Sequence, residues 1–284
     1  MKFDKIVFSC SEYFAPFWNI QARVWNKMGV EPVCLYFSDT KDGMSEEHGE
    51  VILKEADPQF GEDSDILQIT MSKFWHPTTE PDTTWLIGDI DMLPMTRDYF
   101  IHGDKIQHGL YVNLNFSGIF QSVAPGDVQS SPNLFAQNGS KTMGGFDLPG
   151  HYHLATGGTF KDVIFPDKQL EDSLREIVDG DRYGHVGTEE IHKRYWCAEE
   201  NYTSEKIHEA CVQRQDTKLG GQIYDNRMQR VDRSFWQQDQ KRYAHAAYSL
   251  DDDIEDKFVD IHCHRPYHEQ EEHMLYLLDK ARML

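Results

Sequence analysis

Two carboxylates, Asp89 and Asp91, follow the apolar run Trp85-Leu86-Ile87 and a glycine, Gly88, in the string WLIGDIDMLP. On an extended backbone, side chains two apart point the same way. The pair can then face one hard cation, Mg²⁺ or Mn²⁺, and a diphosphate bound to it. That chemistry suits transfer of a group from a nucleoside diphosphate. A short Asp-x-Asp also occurs as an ordinary solvated turn, so other parts of the chain have to decide between the two.

Three further groups of residues bear on such a site. In DIHCHRP (260–266), His262 and His264 alternate and share a strand face beside Arg265. Imidazole is a good third ligand for Mn²⁺, and a guanidinium matches a pair of phosphate oxygens. The same His-x-His string could instead bind zinc, with partners from elsewhere. In WCAEENYTSEKI, Glu199 and Glu200 form an acid pair within a helical stretch. One of them could act as general base on an acceptor hydroxyl or hold donor-sugar hydroxyls, although acids on a helix also serve solubility. Finally, Ser9, Ser11 and Tyr13 lie at the end of the first strand. In open α/β sheets ligands bind beyond the carboxyl ends of strands, so these side chains are candidates to hold a base and ribose. No glycine-rich phosphate loop follows, which disfavours a dinucleotide or P-loop fold.

The elements that must position these groups read as β-α-β. Residues 5–10 form an apolar strand, and 14–28 carry apolar residues at helical spacing up to Gly29, a good helix stop. Residues 31–37 form the next strand, which implies an α/β sheet. Further strands are expected at 51–53, 84–88 (carrying the carboxylates), 111–116, 151–156 and 259–264. Helices are expected at 65–75, 165–178 with Pro166 near its start, 189–208 with a break near Asn201, and 269–284. Gly220-Gly221 reads as a turn and 251–256 as an acidic loop. Residues 117–150, rich in Gly, Ser, Asn, Gln and Pro, read as a long loop of the kind that is often functional.

Composition narrows the class. The chain has 284 residues and a formal net charge of −20, from 28 Lys+Arg against 48 Asp+Glu. Such a surface repels nucleic acid and anionic membrane over most of its area and makes a metal ion the natural means of neutralising an anionic substrate. No stretch approaches the roughly 20 apolar residues of a membrane span, and the first residues read as a strand, not a signal peptide. An intracellular, cytoplasmic protein is expected. The five cysteines are widely spaced and lack a Cys-x-x-Cys pair, which points to free thiols; Cys10 and Cys34 read as core residues.

These pieces, in this order, resemble the GT-A-fold nucleotide-sugar glycosyltransferases, notably a compact soluble type found in large DNA viruses, phages and bacteria. The resemblance rests on Asp89-Ile90-Asp91-Met92-x-Pro94, on Glu199-Glu200 followed by Tyr202 and Thr203, and on Asp260-x-His262-x-x-Arg265-Pro266, and it runs from about residue 5 to 280. It implies a single GT-A-like (Rossmann-like) α/β domain: a mostly parallel central sheet flanked by helices, with a donor half over about 1–116 and an acceptor half over about 117–284. It implies that Asp91 coordinates the metal, that Asp89 contacts ribose or a metal-bound water, that His262 is the third protein ligand and that Arg265 assists the diphosphate. Glu199 or Glu200 would sit near the donor sugar or acceptor. Gly157, Gly158 and Thr159 would lie on the acceptor side. Lys73 stands where the family often has an arginine before the Asp-x-Asp strand, and Glu199-Glu200 where it tends to have Asp-Glu. The expected activity is a Mn²⁺- or Mg²⁺-dependent transfer of a sugar, with UDP-sugars as donors by family habit. The expected acceptor is a glycan hydroxyl, or alternatively a hydroxylated base of phage-type DNA reached through the basic stretch Arg227–Arg242. A metal-dependent phosphohydrolase and a nucleotide-binding protein without turnover are the rival readings.

Overall fold

A computed structural model describes residues 2–101, 103–114, 151–180, 182, 195, 198–221, 229–232, 236–237, 242–243, 258–263 and 265–284. The expectations placed on 117–150, 251–256, His264, Cys197 and the side chains of the 227–242 stretch lie outside the described residues.

In chain order the elements are β1 (Lys5–Ser11), α1 (Trp18–Lys27), β2 (Glu31–Phe37), β3 (Glu50–Lys54), α2 (Asp65–Trp75), β4 (Thr84–Ile87), β5 (Met92–Pro94), α3 (Arg97–Phe100), β6 (Leu110–Asn113), β7 (His153–Thr156), α4 (Gly157–Ile164), α5 (Leu170–Val178), α6 (Ala198–His208), β8 (Lys218–Gly221), β9 (Gln229–Asp232), β10 (Trp236–Gln237), β11 (Arg242–Tyr243), β12 (Phe258–His262) and α7 (Tyr267–Lys280). Seven strands make one sheet in the order β3-β2-β1-β4-β7-β6-β8. The first four are parallel, β7 is antiparallel to both its neighbours, and β6 and β8 run parallel to each other. A smaller sheet pairs β5, β12 and β9. The α/β class and the mostly parallel sheet agree with the sequence. Residues from both sequence halves build the same sheet.

Alternation along each strand divides the core between the two sheet faces. Ile6, Phe8, Cys10, Cys34, Tyr36 and Leu86 pack with Trp18 and Trp25 of α1 and with Met274, Leu277 and Leu278 of α7. Val7, Val33, Leu35, Trp85 and Ile87 pack with Leu67, Met71 and Phe74 of α2 and with Phe160 of α4. Cys10 and Cys34 are buried free thiols with sulfurs 3.6 Å apart, as core residues should be. Among the described residues, no helix is long and apolar enough to cross a membrane.

Several elements differ from expectation, each for a local reason. Gly157-Gly158 opens a helix, α4, because the Thr156 side chain accepts from Thr159 N–H as an N-cap. The next helix starts at Leu170 instead of Phe165: Pro166 lies in the connecting turn, and a Gln169/Asp172 capping box sets the start. Gly220-Gly221 belongs to β8, where it pairs with Val112 and Asn113. The helix carrying Asn201 runs unbroken from Ala198 to His208.

Candidate active site

The Asp-x-Asp string forms the junction between the two sheets. β4 stops at Ile87, so Asp89 and Asp91 sit in a turn and not on the extended strand expected from sequence; Met92 N–H donates to Asp89 C=O across it at 3.0 Å. Gly88 leaves room there for the Phe8 ring. Its N–H donates to Val7 C=O, and a Cβ at this position would lie 2.4 Å from Phe8 Cε1, too close for any side chain.

Gln21, wholly buried on α1, clamps the turn. Its Nε2 donates to Ile90 C=O at 2.9 Å and Met92 C=O at 2.7 Å, while Trp25 Nε1 donates to Gln21 Oε1 at 3.0 Å. Both amide hydrogens and the carbonyl are thus engaged. After the turn, β5 pairs antiparallel with β12, placing His262 opposite Met92, and Cys263 N–H donates to Asp91 C=O at 2.8 Å. This pairing brings the C-terminal His262 and Arg265 to a turn more than 170 residues earlier in the chain.

The two carboxylates separate into two ion pairs. Asp91, 4% exposed, accepts from Arg265 Nε at 2.9 Å and Nη2 at 2.5 Å, both on Oδ2, and His262 Nε2 lies 3.6 Å from the same oxygen. Asp89 accepts from Lys73 Nζ at 2.5 Å, and His151 Nδ1 stands 3.7 Å from its other oxygen. Burial alone would raise the Asp89 pKa, but Lys73 and His151 outweigh it and hold the value below the ordinary carboxylate range. The Asp89 side chain keeps 34% of its surface exposed, so water moderates that pair. Lys73 is buried on α2. Burial opposes its charge, yet Asp89, Glu199 and Glu200 together raise its pKa.

Of these side chains, Asp89, Asp91, Lys73 and Arg265 line one pocket of about 140 Å³, and His262 and His151 stand behind the two carboxylates outside its lining. Its walls are the carboxyl end of β1 (Ser9, Cys10, Ser11), one side of α2 (Ile66, Ile69, Thr70, Lys73), the Asp-x-Asp turn, Arg265, and Glu199 and Glu200 from the first turn of α6. The four α2 residues fall at the spacing of one helix face. Glu199 is 6% exposed, and its buried Oε2 has no hydrogen-bond partner among the described residues. Burial first, then the neighbouring Glu200 and Asp89, push its pKa up to about 8 against the pull of Lys73. Tyr13 is outside this pocket. It is exposed, packs edge-on against Phe14 at 4.9 Å, and lines an adjoining groove that shares Ser11, Phe14, Ile66 and Ile69 with the pocket.

Gly157, Gly158 and Thr159 are a correction. They do not line the pocket but lie at the opposite end of the sheet. β7 runs antiparallel to β4, so His153 pairs with Ile87 near the site, while Thr156 pairs with Thr84 at the far end. There Gly157 N–H donates to Thr83 C=O, and a Cβ on Gly157 would meet Pro77 C=O at 2.1 Å. Their residue types serve close packing and helix capping. The same antiparallel pairing delivers His151 to Asp89, a contact that the expected set of residues omits; a histidine preceding a strand gives no sign of which strand it will pair with.

The donor chemistry fits a divalent cation in part. Two ligands about 2.1 Å from one ion lie about 3.0–3.6 Å apart for ordinary angles, and Asp91 Oδ2 and His262 Nε2 are 3.6 Å apart. Among the described residues, no three His, Cys, Asp or Glu side chains gather closely enough to enclose an ion by themselves. Small divalent cations held by one or two protein ligands take the remainder from water and substrate phosphates. No protein-family model matches the chain, and no curated protein matches it.

Proposed function

We propose that this pocket binds a nucleoside-diphosphate sugar together with Mn²⁺ or Mg²⁺ and that the protein is a glycosyltransferase of GT-A type. The observation that carries the reading is the charge pattern. Among the described residues that line the pocket, Asp89, Asp91, Glu199 and Glu200 stand against two fixed cations, Lys73 and Arg265, at the carboxyl ends of parallel strands. A surplus of acids repels a diphosphate unless a divalent cation accompanies it. Asp91 and His262 are the side chains that would hold this cation. Bound there, it would neutralise charge on the leaving nucleoside diphosphate.

The remaining residues take roles from where they stand. Arg265 offers a planar donor pair to phosphate oxygens. Asp89, fixed by Lys73 and His151, faces the ribose or a water. Ser9, Ser11 and the groove beside Tyr13 and Phe14 accommodate the nucleoside, with Ile66 and Ile69 as its apolar wall. Glu199 and Glu200 face the space left for sugar and acceptor. A carboxyl with a pKa near 8 is a strong base when ionised and is poised near working pH for taking a proton from an acceptor hydroxyl. The acceptor we favour is a glycan hydroxyl, because the excess of 48 acidic over 28 basic residues opposes a polyanion such as DNA.

The test is nucleotide release from UDP-, GDP-, CMP- and TDP-sugars with Mn²⁺, with and without mixed glycan acceptors, in wild type and Asp91→Asn. Release of one nucleotide, dependent on metal and lost in the variant, supports the reading. Release of inorganic phosphate from phosphomonoesters instead would replace it with a phosphohydrolase.

A further inference from the structure

We propose that Arg265 is an exchangeable counter-ion. It holds Asp91 while the metal is absent and hands that carboxylate to the cation as it transfers to the incoming diphosphate, so metal and nucleotide bind together far more tightly than either does alone. The inference rests on the reading of the pocket as a metal–diphosphate site and adds a binding order to it.

The geometry places the competition on one atom. Arg265 Nε and Nη2 both converge on Asp91 Oδ2, at 2.9 and 2.5 Å, and this is also the oxygen nearest His262 Nε2. A cation shared by Asp91 and His262 therefore meets the guanidinium first. Asp91 is 4% exposed, and a buried carboxylate strongly favours a cation beside it, so a metal ion arriving at this oxygen can take over the arginine's role. Arg265 itself has somewhere to go. Its side chain is 24% exposed, lines the pocket, and lies 4.6 Å from the centre of the Phe14 ring. The Phe14 face supports the guanidinium while its donors turn to an anion in the same pocket. Phosphate oxygens suit that planar fork. Because coupling between two ligands is reciprocal, the factor by which nucleotide tightens metal equals the factor by which metal tightens nucleotide.

The experiment is titration of Mn²⁺ alone, and of Mn²⁺ in the presence of UDP, read by the electron paramagnetic resonance signal of free Mn²⁺. The proteins are wild type, Arg265→Met, Arg265→Lys and Asp91→Asn. In the wild type, Mn²⁺ alone binds weakly and UDP strengthens it. Arg265→Met binds Mn²⁺ alone at least tenfold more tightly than wild type, equivalent to about 1.4 kcal/mol, and gains less from UDP. Arg265→Lys falls between, because one ammonium cannot reproduce the two-donor contact. Thermal melts check that each variant is folded; if Arg265→Met is not, Arg265→Lys carries the test, binding Mn²⁺ alone more tightly than wild type. Unchanged affinity for Mn²⁺ alone in the folded Arg265 variants, with UDP-dependent Mn²⁺ binding that Asp91→Asn abolishes, overturns the exchange and leaves the site reading standing. No Mn²⁺ binding by any protein, with or without UDP, removes the site reading and the exchange with it.

Discussion

Replacing Glu199 with glutamine isolates a buried carboxyl of the pocket whose pKa is strongly raised. Glu199 is buried, its Oε2 has no hydrogen-bond partner among the described residues, and burial pushes its pKa up to about 8 against an ordinary value of 4.5. In the unfolded chain it loses its proton near the ordinary value, while in the folded protein it keeps the proton until about 8. Between those values the folded state binds more protons, so stability falls as pH rises through the window and is flat on either side. Each pKa unit is worth about 1.4 kcal/mol, which makes about 4–5 kcal/mol an upper bound; part of the shift depends on the charge of Glu200, and a loss of about 2 kcal/mol between pH 5 and 8 is expected. Glu199→Gln keeps the size and neutrality of the protonated acid and cannot ionise. Urea unfolding at pH 5, 6, 7 and 8 should show wild type and variant close together at pH 5 and the variant more stable at pH 8. At roughly 2–4 °C per kcal/mol, the melting temperatures separate by about 4–8 °C. Curves that stay parallel over this range would refute the reasoning, since no other titrating group differs between the two proteins. If Glu199 is also the general base, transfer rates in the wild type rise with pH up to about 8, and Glu199→Gln loses both rate and that rise.

Other consequences follow from particular contacts. Gln21→Met keeps the bulk but leaves two buried carbonyls without donors, so we expect a loss of about 2–3 kcal/mol in urea unfolding and weaker Mn²⁺–UDP binding by calorimetry; unaltered binding would show that the clamp does not position Asp91. Gly88→Ala forces a Cβ to within 2.4 Å of Phe8 Cε1 and should cost about 1–3 kcal/mol, with a second change, Phe8→Leu, recovering part of it in a double-mutant cycle. Thr156→Ala removes the cap of α4 and should cost about 1 kcal/mol while leaving nucleotide affinity unchanged; reduced affinity would return Gly157–Thr159 to the site.

Much of the fold was legible because strand and helix periods differ. The apolar runs at 5–10 and 31–37 and the helical spacing at 65–75 were readable alone, and the observed β1, β2 and α2 match them within a residue. Chemistry was legible where residue types were unusual, as in Asp89-x-Asp91 and His262-x-x-Arg265. Which groups touch was not. Alternation suggested that the two aspartates share a partner, whereas the turn sends Asp89 to Lys73 and Asp91 to Arg265. That outcome depends on strand pairing between residues far apart in the chain, which no local pattern encodes. Gln21 did carry a signal, as a lone amide among Trp18, Ala22, Val24 and Trp25 on the buried face of α1. The assignment of Gly157–Thr159 to an acceptor subsite came from resemblance alone, and the antiparallel course of β7 carries those residues away from the pocket.

The central claim is that the pocket takes a nucleoside diphosphate only together with a divalent cation held through Asp91. Isothermal titration of UDP, GDP, CDP and TDP into the wild type and Asp91→Asn, each with Mn²⁺ and with excess EDTA, tests it most directly. The account predicts binding of one nucleotide that requires Mn²⁺ and is lost in the variant. Binding that is equal in EDTA, or equal in Asp91→Asn, or no binding of any nucleotide, would contradict it.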